Sequence, residues 1–196
     1  LRNLNSGVNL SGGATGVTVG GNIAGAANLI SGNTGNGVYL ASNGNTVKGN
    51  WIGLNATGTT AIGNGNGVYI YLAANNVVGG TTANERNIIA GNTGQGVFVN
   101  GASSTGNVVQ GKYIGTNVAG TAAVANAGSG VFVFSSASNN TIGGTTAGSG
   151  NVISGNATYG VYLNAPSNTV AGNIIGLNAA GTAAIANNYG VHVLSA

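Results

Sequence analysis

Very few side chains in this chain are equipped for acid, base or metal chemistry. The basic residues are Arg2, Lys48, Arg86 and Lys112, the only acid is Glu85, the only histidine is His192, and there is no cysteine. Hydrolysis of a glycosidic bond ordinarily takes two carboxyl groups, one to give a proton and one to act as base or nucleophile. A single Glu without any Asp does not supply them. Calcium-assisted elimination fails for the same reason, because a hard cation needs several oxygen ligands with carboxylates among them. Zinc would need His, Cys and carboxylate groups gathered together. His192 stands alone in the last Gly-Val-x-Val run at an outward position, where an exposed surface residue is expected. Glu85 and Arg86 are adjacent in a corner and read as solubilising charges. No catalytic residue, metal ligand or cofactor is expected, so the chain reads as non-enzymatic.

Charge excludes further classes. Only 3% of residues are charged, so the calculated pI of 9.5 is a small difference between small numbers. No basic patch exists for nucleic acid. The longest apolar run, Val68 to Ala74, is far too short to cross a bilayer, and no membrane insertion is expected. A surface this uncharged lacks the repulsion that keeps proteins apart. Association with other copies, end to end or laterally, is therefore expected, with a neutral polysaccharide as the alternative partner.

The residue types that do recur are aromatic and amide. Gly-Val pairs begin at Gly7, Gly37, Gly67, Gly96, Gly130, Gly160 and Gly190, at intervals of 30, 30, 29, 34, 30 and 30 residues. The residue after each pair is Asn9, Tyr39, Tyr69, Phe98, Phe132, Tyr162 and His192, and Tyr71 and Phe134 lie two positions further on. If equivalent positions stack, Tyr39, Tyr69, Tyr71, Phe98, Phe132, Phe134 and Tyr162 form one outward strip. Such a strip either stabilises the sheet through neighbouring rings or binds a sugar chain or a neighbouring rod. Two asparagine files accompany it: Asn45, Asn76, Asn107, Asn140 and Asn168, broken by Val17, and Asn28, Asn50, Asn87, Asn151 and Asn173, broken by Lys112. Stacked amides donate in one direction and accept in the other, which satisfies polar groups at a bend. These files are expected to be structural ladders.

Positioning such files takes a solenoid. A repeat near 30 residues, alternating between GGTT-type and IGxNxxGT-type corners, makes a two-coil unit of about 60 residues whose apolar faces are buried only against neighbouring units. Each coil holds three short β-type runs between Gly, Asn, Ser and Thr. In the first run, period two sends Val8/Leu10, Val38/Leu40, Val68/Ile70, Val97/Val99, Val131/Val133, Val161/Leu163 and Val191/Val193 to one face, the expected lumen. The second run ends in Val19, Val47, Val78, Val109, Ile142 and Val170, and the third in Ile30, Ile52, Ile89, Ile114, Ile153 and Ile175. Outside the third run lie Leu29, Trp51, Ile88, Tyr113, Val152 and Ile174. Loops carrying Ile62, Val124 and Ile185 are expected to fold back over that file as a satellite core.

Two stretches carry a family likeness: NNTIGGTTAGSGNVISGN from Asn139 to Asn156 and NTVAGNIIGLNAAGTAA from Asn168 to Ala184. In them the chain resembles the right-handed parallel β-helix repeats of the pectate-lyase-like superfamily, especially bacterial surface and secreted repeat proteins. The resemblance covers essentially the whole chain. It implies a right-handed coil, in keeping with the general rule for parallel crossovers. It selects no activity, because the same coil carries lyases, hydrolases and adhesins. The family's GTDxxGT loop has an acid where this chain has Asn55, Asn117 and Asn178. A metal site built on those acids is therefore not expected here.

The expected protein is one all-β domain over residues 1–196, a right-handed parallel β-helix of six coils plus one extra strand, with three short strands per coil. Coils begin near residues 7, 37, 67, 96, 130 and 160, with the extra strand near 190. The chain opens in mid-pattern at Leu1, and neither terminus resembles a capping helix, as expected of a mature product, an excised segment or a fibre subunit. The expected role is an extracellular or cell-surface rod that self-associates. The alternative is a carbohydrate-binding adhesin module, and the remote alternative is a piece of a polysaccharide-active enzyme.

Overall fold

The structure, a computed structural model, describes residues 2–195. Nineteen short strands wind into a parallel β-solenoid of about six turns. The first sheet stacks β1 (Val8–Leu10), β4 (Val38–Leu40), β7 (Val68–Tyr71), β10 (Val97–Asn100), β13 (Val131–Phe134), β16 (Tyr159–Asn164) and β19 (Tyr189–Ser195). The second stacks β2 (Thr18–Gly20), β5 (Thr46–Lys48), β8 (Val77–Gly79), β11 (Val108–Gln110), β14 (Thr141–Gly143) and β17 (Thr169–Ala171). The third stacks β3 (Leu29–Ile30), β6 (Trp51–Ile52), β9 (Ile88–Ile89), β12 (Tyr113–Ile114), β15 (Val152–Ile153) and β18 (Ile174–Ile175). Every strand pairing is parallel and joins repeat-equivalent residues, such as Val38 with Val68 and Val47 with Val78, except that β16 and β19 shift register after Leu163, where Asn164 pairs with Ser195. At about 4.8 Å per coil the rod is roughly 30 Å long.

Alternation of Val, Leu and Ile with outward residues fills the lumen. Val38, Leu40, Val68, Ile70, Val97, Val131, Val133 and Val161 are buried from the first sheet, and Val47, Val78, Ile142, Ile52, Ile89, Ile114 and Ile153 meet them from the other two. Burial in a solenoid comes from the coils above and below. Val191 and Val193, expected in the lumen, are instead exposed, because β19 is the last strand of its sheet and only β16 covers it. Glycine fixes how closely the coils approach. Gly37 begins its first run 2.6 Å from Ile52 Cγ2 and 2.7 Å from the Gly67 carbonyl when an ideal Cβ is placed on it, so no side chain fits there. Gly143 turns the second corner at φ +91°, and a Cβ there would collide with the Ala171 carbonyl.

Three asparagine ladders hold the corners. Along the second run, the backbone N–H of Asn45, Asn76, Asn107 and Asn140 donates to Oδ1 of Asn76, Asn107, Asn140 and Asn168, each at 2.9 Å. Val17, lacking the amide, still donates its N–H to Asn45 Oδ1 at 3.0 Å. Along the third run the same contact links Asn28 to Asn50 at 3.3 Å, Asn50 to Asn87 at 2.9 Å and Asn151 to Asn173 at 3.0 Å. A third ladder precedes the first run and was missed by sequence reasoning: Asn33, Asn64, Asn92 and Asn156 donate their N–H groups to Asn64, Asn92, Asn126 and Asn187. The same residues also bridge side chain to side chain, as from Asn92 Nδ2 to Asn126 Oδ1 at 2.8 Å and from Asn126 Nδ2 to Asn156 Oδ1 at 2.9 Å. Asn33, Asn64, Asn92, Asn126 and Asn156 are almost fully buried, so each of their bonds also removes the cost of an unpaired polar group.

Lys112 interrupts the third-run ladder from a fully buried position. Its N–H still donates to Asn151 Oδ1 at 3.1 Å, and its Nζ donates to the Gln110 carbonyl at 2.6 Å. That is the bond an asparagine makes at the same place, as Asn50 Nδ2 does to the Lys48 carbonyl at 3.0 Å. An ammonium copies the donor but offers no oxygen to the Asn87 N–H. Burial strips water from the charged form and holds the Lys112 pKa well below the ordinary lysine range. Lys112→Asn should therefore restore the ladder and raise unfolding free energy in urea by about 1–3 kcal/mol. With its folded pKa depressed, Lys112 binds fewer protons folded than unfolded. Wild-type stability should then rise with pH from that depressed value up to the ordinary lysine value of about 10.4. The asparagine variant should lack this slope.

Candidate functional site

In-register parallel pairing places like over like. Tyr39 lies beside Tyr69, Tyr69 beside Phe98, Phe98 beside Phe132, Phe132 beside Tyr162, and Tyr162 beside His192. Ring centroids along this file are 5.5, 4.7, 5.1, 4.9 and 5.2 Å apart, close to the spacing of the strands themselves. Tyr69, Phe98 and Phe132 are nearly parallel, at interplanar angles of 8° and 9°. Tyr71 flanks Tyr69 at 5.6 Å, and Phe134 flanks Phe132 at 5.4 Å. All seven residues expected in the strip are thus brought together. His192, expected as a free surface residue, is half-buried and lies nearly parallel to the Tyr162 ring at 14°.

Two further rings belong to the site. Tyr159 and Tyr189 precede Gly160 and Gly190, and Tyr159 lies 4.9 Å from Tyr162, 5.2 Å from Tyr189 and 5.0 Å from His192. Asn100 occupies the flanking column between Tyr71 and Phe134. Its Nδ2 donates to the Tyr69 hydroxyl at 2.9 Å, while its buried Oδ1 has no partner. Burial, reinforced by neighbouring Tyr69 and Tyr71, raises the Tyr39 pKa and keeps its hydroxyl protonated beyond the ordinary tyrosine range. The geometry decides what the strip can do. Where rings lie face to face along the rod axis, their faces are spent on one another and edges point outward. A pyranose ring stacks on an open aromatic face. The central file is therefore better built to bind coils together than to hold a sugar, and the flanking Tyr71 and Phe134 are the most exposed of the seven expected residues.

The outer face of the third sheet is covered by loops. Antiparallel bridges close them at Leu54 with Ala61, Thr116 with Ala123, and Leu177 with Ala184. Asn117 Oδ1 accepts the N–H groups of Thr121 at 2.9 Å and Ala122 at 3.3 Å, and Asn178 does the same for Thr182 and Ala183 at 2.8 and 3.3 Å. Asn55 accepts from Thr59 and Thr60 at 3.0 and 3.2 Å. These three asparagines close loops, an acceptor role that needs no charge. Leu54, Ile88 and Ala90 form a second core with Trp51, Tyr113, Val118 and Val124 against it. Val124 plays its expected part in this satellite core, but Ile62 is exposed, and Leu54 and Val118 of the loops pack with Ile88 and Ala90 instead.

The charges at the corner are also packed. Glu85 Oε1 pairs with Lys48 Nζ at 3.0 Å, and that hydrogen bond holds its carboxyl below the usual carboxylate range. The Arg86 guanidinium lies 4.2 Å above the Tyr113 ring. Both residues therefore tie coils together rather than serving solubility alone. Comparison with known proteins gives no matching family model, no matching curated sequence and no matching solved structure.

If the strip serves mainly to join coils, its centre should matter more than its flank. Phe98→Ala removes two stacked contacts and should lower unfolding free energy by about 2–3 kcal/mol, while Phe134→Ala should cost under about 1 kcal/mol. Urea unfolding followed by far-ultraviolet circular dichroism measures both. Equal costs would argue against a structural role for the stack.

Proposed function

We propose that this chain is a non-enzymatic structural module, a length of extracellular or cell-surface β-solenoid rod that associates with other copies of itself. One observation carries the reading: the functional groups that recur are turned along the rod axis onto one another. Amides meet amides in three ladders, rings meet rings in the aromatic file, and loops meet loops on the third sheet. The sole carboxylate side chain is held by Lys48 and Thr82 and has no second acid to work with. Periodic, nearly uncharged surfaces also leave little electrostatic barrier to association. A right-handed coil of the pectate-lyase-like type, as in bacterial surface and secreted repeat proteins, is the family setting we infer from the repeat motifs.

A second reading, a carbohydrate-binding surface, draws support from Asn100. Its amide lies between Tyr71 and Phe134 in one column, so a polar group sits among exposed rings, as a sugar site requires. Electron microscopy of the purified chain at rising concentration separates the readings. Rods of uniform width that lengthen with concentration, with no retention on soluble glycans, are expected for the structural module. Monomers that bind a glycan, and lose it in Tyr71→Ala, would overturn the structural reading in favour of the second.

A further inference from the structure

The loops at residues 54–61, 116–123 and 177–184 are themselves a stack, with each member seated on the one before. The Val118 N–H donates to the Gly58 carbonyl at 3.0 Å, and the Ala179 N–H donates to the Gly120 carbonyl at 2.9 Å. Gly58 is closed in by Val118 and Trp51, and Gly120 by Ala179 and Tyr113. Under this cover Ile88 is only 3% exposed. The first loop in the stack has no such predecessor among the described residues. Leu29, the equivalent of Ile88, is 49% exposed, and Ile62, the equivalent of Val124, is 48% exposed. Leu29, Trp51 and Ala56 line a hollow of about 220 Å³ at the place where a preceding loop would sit. At the opposite end of the stack, Gly181 is the equivalent of Gly58 and Gly120. A Cβ built on it meets nothing, and Leu177 beside it is exposed.

We propose that the loop at 177–184 of one copy seats in the Leu29–Trp51–Ala56 hollow of the next, joining copies head to tail with the two-coil period unbroken. This deepens the reading of the chain as a self-associating rod and rests on it. The hollow and the loop are the two halves of a contact the chain already makes twice within itself. In the joined rod the Ala56 N–H meets the Gly181 carbonyl, as Val118 meets Gly58.

Continuing the period has a second consequence. Gly190 is equivalent to Gly7, so β19 of one copy claims the place of β1 of the next. Three features favour β19. It spans Tyr189–Ser195, whereas β1 spans only Val8–Leu10. Asn187 reproduces Asn3, whose Nδ2 donates to Asn33 Oδ1 at 2.7 Å, so that ladder runs on without a break. His192 replaces Asn9 beside Tyr39 and carries the aromatic file across the joint. The exposed Val191 and Val193 become covered, and residues 3–10 of the receiving copy are released.

The test uses the full chain and two variants at exposed positions, Ala56→Glu and Leu177→Glu, with unfolding midpoints confirming that both are folded. Each variant alone should associate at least ~100-fold more weakly than wild type, because a carboxylate would be buried at the joint without a partner. Mixed, the two should give one-to-one dimers and nothing longer by analytical ultracentrifugation, since each retains one intact end. Hydrogen exchange on wild type should show the Gly7 and Val8 amides, which donate to the Asn36 and Gly37 carbonyls, losing protection on assembly. Wild type that stays monomeric at every concentration overturns self-association itself. Wild-type rods that form equally well in both variants overturn the loop seat alone, and rods in which Gly7 and Val8 stay protected overturn the strand exchange.

Discussion

A bend in a buried backbone must supply both a donor and an acceptor at every level, and the asparagine side chain carries both on separate atoms with the reach to meet the next coil. This constraint governs the solenoid. A corner exposes peptide groups that no strand pairs, and about 4.8 Å away the next coil exposes the same groups in the same orientation. An amide at that point accepts from the N–H of the coil behind through Oδ1, and through Nδ2 donates forward to the next amide and back to a carbonyl of the coil behind. Asn107 does all of this, taking the Asn76 N–H and giving its own protons to the Ala73 carbonyl and to Asn140 Oδ1. A Ser is too short to span the gap, and an Asp lacks the donor. The repetition of Asn therefore follows from translation along one axis, and the uniform register of the three sheets follows from the ladders.

Once the axis is fixed, every outward position becomes a column, and chemistry is amplified or wasted column by column. Aromatic residues at one position yield a file spaced by the strands, which suits ring stacking. Positions that alternate between coils yield a different result, because loops occur only in alternate coils and must each cover two. Leu54 and Ala61 serve one neighbour while Ile62 serves the other, which is why the satellite core has a period of two coils. Trp51 and Tyr113 occur in loop-bearing coils, where a large ring fills the space beneath the loop tip.

Much of this was legible from spacing alone. The Gly-Val pair marks each coil because it combines a position closed to side chains with the first lumen residue, and two ladders stood out at constant offsets within their runs. The third ladder was hidden by geometry at the corner: Asn33, Asn92, Asn126 and Asn156 lie four residues before their Gly-Val pairs, but Asn64 and Asn187 lie three before. A corner absorbs one residue without moving the amide, so a fixed-offset search loses it. Tyr159 and Tyr189 were missed because the residue before the glycine is Ser, Asn or Gln in earlier coils, and the column changes from polar to aromatic late in the chain. The partners of Glu85 and Arg86 lie one coil away, at a separation no local motif encodes.

Positions where the period fails are the more informative ones. Lys112 breaks a ladder at the level where burial is complete, yet the fold retains it by reusing the asparagine's donor bond to the carbonyl two residues back. Val17 breaks another ladder at a half-buried position. The two breaks differ in kind, because a missing acceptor costs free energy in proportion to how thoroughly water is excluded. Loop cover follows the same rule. Ile62 and Val124 have similar chemistry and identical places in the repeat, but one is exposed and the other packed, since only Val124 has an earlier loop beside it. In a structure built by translation, a residue's environment is set less by its own coil than by whether the coils on either side complete it.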